Sequence, residues 1–149
     1  MQNERRVLVV DDDDAVRALL STVLRRRGYK VDSARDGSEG MQRTSRCRYA
    51  LLLLSLTMPG AGVDEILAEI GLRPPDERPL IFVLSSGPSA RHLPADLVTG
   101  TIRKPFDIQL VVDSVTSCLS ALPERPQLDS CPSADDEGVV SQAGDKQAN

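Results

Sequence analysis

Two short, wholly apolar segments most restrict what this chain can fold into. Leu51–Leu54 is a run of four leucines, followed by Ser55 and then by a break at Pro59 and Gly60. Val7–Val10 (VLVV) is followed at once by four aspartates. Strands that are apolar at every position, without alternation, are typical of parallel sheets covered by helices on both faces. These segments therefore predict an α/β fold.

Helical periodicity follows both apolar segments. The first helix is predicted to end before Gly28, which suits a left-handed cap, and to bury Val16, Leu19, Leu20, Val23 and Leu24. A weaker helix begins near Asp36, and a short one carries Val63, Ile66, Leu67 and Ile70. The last helix is capped by Asp107 and has a long apolar face, made of Ile108, Val111, Val112, Val115, Leu119 and Leu122.

Three further strands are predicted at 29–34, 80–84 and 101–103. Between Ser89 and Gly100 we expect only a broken or very short helix, because Pro94 interrupts it. Strand and helix thus alternate five times. This alternation predicts a flavodoxin-like, doubly wound, five-stranded parallel sheet of order 2-1-3-4-5, with helices on both faces.

The net charge of −4 is carried by the last segment of the chain. Residues 123–149 contain six acids and two bases, so residues 1–122 contain 16 of each. This segment lacks periodicity, and we expect a disordered acidic and polar tail after a domain spanning residues 1–122. A formally neutral domain does not indicate a nucleic-acid-binding face. No apolar run approaches the ~18 residues of a membrane span, and no signal peptide is evident, so we predict a cytoplasmic protein with neither nucleic acid nor membrane as partner.

The predicted topology brings several polar side chains to one place. In the order 2-1-3-4-5 the winding reverses between the first and third strands, where such sheets bind ligands. Asp11, Asp12 and Ser55 should meet there, bordered by Ser85 and Lys104. Oxygen ligands of this kind suit Mg²⁺, and a lysine offsets the charge of a phosphoryl group. Taken singly, each residue also has a structural explanation, such as a core serine or a surface lysine.

With these residues in place, the chain resembles the receiver domains of bacterial two-component response regulators. The resemblance rests on four motifs in order, which are VLVVDDDD at 7–14, LTMPG at 56–60, VLSS at 83–86 and RKPF at 103–106. It extends from Arg5 to about Leu122. It implies a chemotaxis-type, single-domain receiver that is not an enzyme, and that has a sensor histidine kinase or another signalling protein as its partner.

The resemblance also implies a role for each residue of the crevice. Asp11 and Asp12 are similar to the acidic pair that binds Mg²⁺, together with the backbone carbonyl of Thr57. Ser85 resembles the switch hydroxyl that turns toward the phosphoryl group, and Lys104 resembles the lysine that contacts that group.

Departures from the family pattern fall on the activation residues. Ser55 stands where the family carries its phosphoaccepting aspartate. Gly62 and Val63 stand where Asp and Gly are usual, and Thr101 occupies a site often filled by an aromatic switch residue. A serine hydroxyl is neutral near pH 7 and nucleophilic only beside a base. We therefore expect Mg²⁺ binding to be weak and the usual phosphoryl transfer to be lost.

Three functions follow from these observations. The first is an atypical receiver that acts mainly as a phosphorylation-independent interaction module and docks a partner, or a second copy, through its last helix. The second is a receiver that is still controlled by phosphate, on Ser55 or on Asp12. The third is a small serine hydrolase, which the sequence disfavours because the chain has one histidine, His92, and no Gly-x-Ser-x-Gly motif.

Overall fold

The computed structural model describes residues 5–56, 62–86, 93–104 and 106–121. Strands and helices alternate along the chain as β1 (Arg6–Val10), α1 (Asp14–Arg26), β2 (Lys30–Ala34), α2 (Gly37–Arg46), β3 (Leu51–Ser55), α3 (Gly62–Gly71), β4 (Leu80–Ser85), β5 (Gly100–Arg103) and α4 (Ile108–Ser120). The five strands are parallel and lie in the order β2-β1-β3-β4-β5. The predicted fold class and strand order are confirmed.

The two central strands, β1 and β3, are buried on both faces because they are apolar at every position. Val7, Val9, Leu51 and Leu53 pack toward α1 and α4. Their neighbours in sequence pack on the opposite face, toward α2 and α3; they are Leu8, Val10, Leu52 and Leu54. These strands therefore contribute to the cores on both faces of the sheet. Full burial of each such side chain stabilises the fold by about 1.5–3 kcal/mol.

The first helix ends before Gly28, as the sequence predicts, but its buried face is narrower than predicted. Asp13 caps α1 by accepting from the backbone N–H groups of Ala15 and Val16, and Gly28 has a φ of 95°. Leu19 was predicted to be buried, and that prediction is wrong, because 52% of its surface is exposed. The next residue, Leu20, is fully buried, as predicted.

Glycine in α2 is explained by the close approach of two helices. A Cβ atom on Gly37 would lie 2.3 Å from the Cα atom of Gly62, at the start of α3. A Cβ atom on Gly40 would lie 2.9 Å from a methyl group of Ile66. The weak helical signal in this segment therefore reflects tight packing of α2 against α3, and the predicted helix is present.

The connection between β4 and β5 contains no helix among its described residues, 93–99. The N–H groups of Leu97 and Val98 both donate to the carbonyl of Pro94 and form a turn. A short 3₁₀ helix at Pro75–Glu77, which the sequence did not predict, precedes β4. Within the described ranges, no helix is long and apolar enough to cross a membrane.

A buried polar cluster lies at the amino ends of the central strands. The Arg6 guanidinium is 3.3 Å from the Asp32 carboxylate, which also accepts a 2.7 Å hydrogen bond from the Tyr49 hydroxyl. All three side chains are almost fully buried. Burial, and then the hydrogen bond to Asp32, raise the pKa of Tyr49 well above its ordinary value. The cluster ties β1 to β2 and to the residue that leads into β3.

Candidate functional site

The crevice between the carboxyl ends of β1 and β3 holds the candidate functional site. Asp11 follows β1 directly, and Ser55 is the last residue of β3. Both side chains are fully buried. The reversal of winding at this point explains why residues that are 44 positions apart in sequence meet here.

Lys104 lies between these two side chains. Its ammonium nitrogen is 3.0 Å from Oδ2 of Asp11 and 3.4 Å from Oγ of Ser55. The lysine itself is only 17% exposed. An ion pair between a fully buried carboxylate and a largely buried ammonium group is screened little by solvent. This pair therefore links the carboxyl end of β1 to the carboxyl end of β5.

The four consecutive aspartates take different roles. Oδ1 of Asp11 accepts from the backbone N–H of Asp13 at 2.9 Å, so both carboxylate oxygens of Asp11 have partners. Asp13 is the helix cap, and Asp14 forms an ion pair with Arg17 at the surface. Asp12, directly after the buried Asp11, is exposed to solvent. Capping and surface pairing thus account for two of the aspartates, and the remaining two face or border the crevice.

The other predicted site residues that the structure describes lie on β4 and β5. Ser85 is buried, and its backbone carbonyl accepts from the N–H of Lys104 at 2.6 Å. This bond places the lysine beside the end of β4. Thr101 is exposed on β5 and lies opposite Val83, two positions before the end of the β4 pairing. Thr57 lies outside the described residues.

Thr101 instead lines a surface groove between β5 and α4. The groove has a volume of about 370 Å³, and Ile102, Phe106 and Val111 form part of its wall. Leu110, which also lines it, is 65% exposed. The sequence predicted the apolar face of the last helix but not this groove, since Leu110 falls outside the helical stripe that packs on the sheet.

Comparison with known proteins agrees with this arrangement of strands. The response regulator receiver domain family matches residues 7–116. The chain belongs to this family. It is a receiver of the two-component type, a class whose members are generally non-enzymatic signalling modules that bind Mg²⁺ at the phosphorylation site.

The receiver is also similar to individual curated proteins. The transcriptional regulatory protein ResD of Bacillus subtilis (strain 168) is 35% identical over 120 residues, which cover 78% of this chain and 49% of ResD. PrrA of Mycobacterium leprae (strain TN) is 34% identical over 117 residues, which cover 76% of this chain and 49% of PrrA. The chain therefore spans about half the length of the curated relatives it matches.

Two solved structures show the same fold. The response regulator TrrA of Thermotoga maritima, in complex with Mg(2+)-BeF, is 30% identical with a TM-score of 0.64; the match covers 76% of this chain and 97% of TrrA. The chemotaxis response regulator CheY4 of Vibrio cholerae is 24% identical with a TM-score of 0.68, over 77% of this chain and 98% of CheY4. The flavodoxin-like architecture is shared throughout.

Proposed function

We propose that this chain is an atypical receiver of two-component signalling that acts mainly as a phosphorylation-independent protein-interaction module. The observation that carries the proposal is which side chains the crevice contains and how they pair. Ser55 occupies the end of β3, and the lysine expected to contact a phosphoryl group is paired with Asp11 at 3.0 Å. The chain keeps the receiver architecture and lacks a carboxylate at the position where the family is phosphorylated.

The chemistry of serine supports loss of phosphoryl transfer. An aspartate at this position is an ionised nucleophile and a ligand for the metal, whereas a serine hydroxyl is neutral near pH 7. The Lys104 ammonium lies 3.4 Å from the hydroxyl, and an ammonium group can only donate. Both oxygens of Asp11 already accept from other groups. These contacts give the hydroxyl no activation by Lys104 or Asp11, which also disfavours a serine hydrolase.

The donor set in the crevice fits Mg²⁺ poorly. The Lys104 ammonium would compete with the metal for Oδ2 of Asp11, and Asp12 is exposed to solvent. Among the residues that the structure describes, no group of three or more acidic, cysteine or histidine side chains could hold a metal ion. We propose that any Mg²⁺ is held weakly by Asp11, Asp12 and the carbonyl of Thr57.

The surface of β5 and α4 is the proposed docking site. Its groove is bordered by the exposed side chain of Leu110 and by Thr101. We propose that a sensor histidine kinase, another signalling protein or a second copy of the chain binds there, in the cytoplasm, and that Ser85 and Lys104 keep structural roles. Nucleic acid is not a proposed partner.

A phosphorylation assay tests the proposal directly. The protein is incubated with Mg²⁺ and a small-molecule phosphodonor, and its intact mass is measured before and after acid treatment. The matched variant Ser55→Asp restores a carboxylate and serves as a positive control. We expect an acid-labile adduct on the variant and unmodified wild-type protein.

Other results of this assay would contradict the proposal. A stable adduct mapped to Ser55, or a labile one mapped to Asp12, would establish a receiver that is still controlled by phosphate. Turnover of an ester substrate that disappears in Ser55→Ala would instead establish a hydrolase.

A further inference from the structure

We propose that Cys47 and Cys131 form a redox-sensitive disulfide that holds the segment after α4 against the edge of the sheet where the strands begin. Cys47 is disulfide-bonded in the structure, and Cys118 is a free thiol. The chain contains three cysteines, so Cys131, which lies outside the described residues, is the remaining partner within the chain. The bond would join two segments that are 84 positions apart in sequence.

Cys47 lies at the end of α2 and is buried. It caps this end of the helix, and its backbone N–H donates to the carbonyl of Arg43 at 3.0 Å. Only 5% of its surface is exposed, and it belongs to the core between the sheet and the helices α2 and α3. Buried thiols are generally inert toward dissolved reagents. A disulfide at this position therefore indicates a dedicated partner rather than incidental oxidation.

The ends of α4 and α2 lie at the same edge of the sheet. The two helices pack on opposite faces, α4 on the side of α1 and Cys47 on the side of α3. At the end of α4, the guanidinium of Arg5 donates to the carbonyl of Leu119. The backbone carbonyl of the next residue, Arg6, accepts from the N–H of Ala50 at 2.8 Å, three positions after Cys47. A segment that joins α4 to Cys47 therefore has to pass along this edge.

The chain between α4 and Cys131 is long enough for this path. Ala121 is the last described residue, and Cys131 follows it by ten positions. Ten extended residues span up to about 33–36 Å. That length is about three helix diameters, since a helix with its side chains is about 10–12 Å across. The segment can therefore reach from the layer of α4, past the sheet, to the layer of α2.

The bond would form by two thiol–disulfide exchanges with a low-molecular-weight disulfide such as oxidised glutathione. Because Cys47 is buried, we assign the first step to Cys131, whose thiolate attacks one glutathione sulfur and releases one glutathione thiolate. The Cys47 thiolate then attacks the Cys131 sulfur of the mixed disulfide and releases the second glutathione thiolate. Two protein thiols are thus oxidised to a disulfide, one glutathione disulfide is reduced, and the two protons pass to the released thiolates.

Reduction should release the segment without unfolding the domain. Cys47 is one of 13 buried residues in its core, and the backbone bond to Arg43 holds it in place independently of its sulfur. In the cytoplasm, the location proposed above, disulfides are usually transient and redox-sensing. The bond would therefore act as a reversible link whose state follows the ratio of reduced to oxidised glutathione.

Peptide mapping of the full-length chain tests the proposal. The protein is equilibrated with mixtures of reduced and oxidised glutathione, quenched with acid, and its free thiols are blocked with a maleimide. Digestion after glutamate residues separates Cys118 from Cys131, because Glu124 lies between them. In excess oxidised glutathione we expect a linked pair of peptides that contain Cys47 and Cys131. In excess reduced glutathione this pair should disappear.

Two serine variants are matched controls. Cys131→Ser should lose the link, whereas Cys118→Ser should keep it. In thermal unfolding followed by circular dichroism, the oxidised wild type and oxidised Cys118→Ser should melt about 5–15 °C above their reduced forms, since a disulfide constrains the unfolded chain. Cys131→Ser should melt at the same temperature under both conditions.

Four results would overturn the proposal. They are a peptide pair that joins Cys47 to Cys118, the absence of any link in excess oxidised glutathione, a link that persists in excess reduced glutathione, and an equal melting shift in Cys131→Ser. Mixing isotope-labelled with unlabelled protein before oxidation covers a further case. Links between labelled and unlabelled copies would assign the bond to a dimer, which also contradicts a bond within one chain.

Discussion

Replacing Ser55 with aspartate would restore the charge that the crevice lacks, and the structure gives the size of the effect. The distances from Lys104 place Oγ of Ser55 within about 6.4 Å of Oδ2 of Asp11, so two carboxylates would repel by about 2.6 kcal/mol or more at an effective dielectric constant of about 20. Attraction to Lys104 at 3.4 Å contributes about 5 kcal/mol in the opposite direction. Burying a second carboxylate costs several kcal/mol. Without Mg²⁺, Ser55→Asp should therefore destabilise the fold by about 2 kcal/mol.

Urea unfolding followed by far-ultraviolet circular dichroism measures this change. Ser55→Asn is the matched control, because asparagine has the size of aspartate without its charge. Adding Mg²⁺ should stabilise the aspartate variant by about 2.7 kcal/mol when the ion is at 100 times its dissociation constant. The wild-type protein and the asparagine variant should respond much less at the same concentration.

The electrostatic reasoning would be refuted by equal stabilities of the aspartate and asparagine variants without metal. It would be refuted equally if Mg²⁺ stabilised all three proteins alike, since the third carboxylate would then be irrelevant to the metal.

Three further variants test other parts of the structure. Lys104→Met leaves a fully buried carboxylate without its cation and should lower the free energy of unfolding by about 3–5 kcal/mol at pH 7. The control Lys30→Met changes an exposed lysine and should lower it by less than about 1 kcal/mol, both measured by urea unfolding. Gly37→Ala places a methyl group 2.3 Å from the backbone of α3 and should lower stability by about 2 kcal/mol or more, while Gly71→Ala, whose nearest atom is a leucine methyl at 3.4 Å, should be nearly neutral in thermal unfolding. Tyr49→Phe removes a buried hydrogen bond and should cost about 1–3 kcal/mol at neutral pH. Folding raises the pKa of Tyr49, so the stabilisation that the neutral Tyr49 hydroxyl provides is complete below pH ~10 and is lost as the pH rises further. Above pH ~10 the wild type should therefore lose up to ~1.4 kcal/mol more stability per pH unit than the phenylalanine variant.

The sequence predicted the features that depend on pattern and topology. Apolar runs without alternation predicted a parallel sheet, and the predicted strand order brought Asp11 and Ser55 to one crevice, where the structure also places them. These inferences succeed because strand burial and right-handed crossovers leave few arrangements open.

Features that depend on contacts between distant segments could not be predicted. The choice of Asp11 as the partner of Lys104 depends on the position of one side chain relative to three strand ends. The burial of Asp32 in β2 requires Arg6 and Tyr49, which lie in other strands or next to them. The exposure of Leu19 depends on the angle at which α1 packs on the sheet. No local sequence signal carries this information.

The buried polar groups at the two ends of the sheet also select one alignment of its strands. A strand of four valines or leucines offers nearly the same packing after a slip along its neighbour, so β1 and β3 alone specify their register weakly. A one-residue slip of β2 would carry Asp32 to the opposite face of the sheet, away from Arg6, and would leave both charges unpaired in the core. A slip of β1 would likewise separate Asp11 from Lys104. The two ion pairs therefore fix the register of strands whose apolar residues alone would not. Without these pairs, we expect the strands to pair in several registers, where the native chain has one.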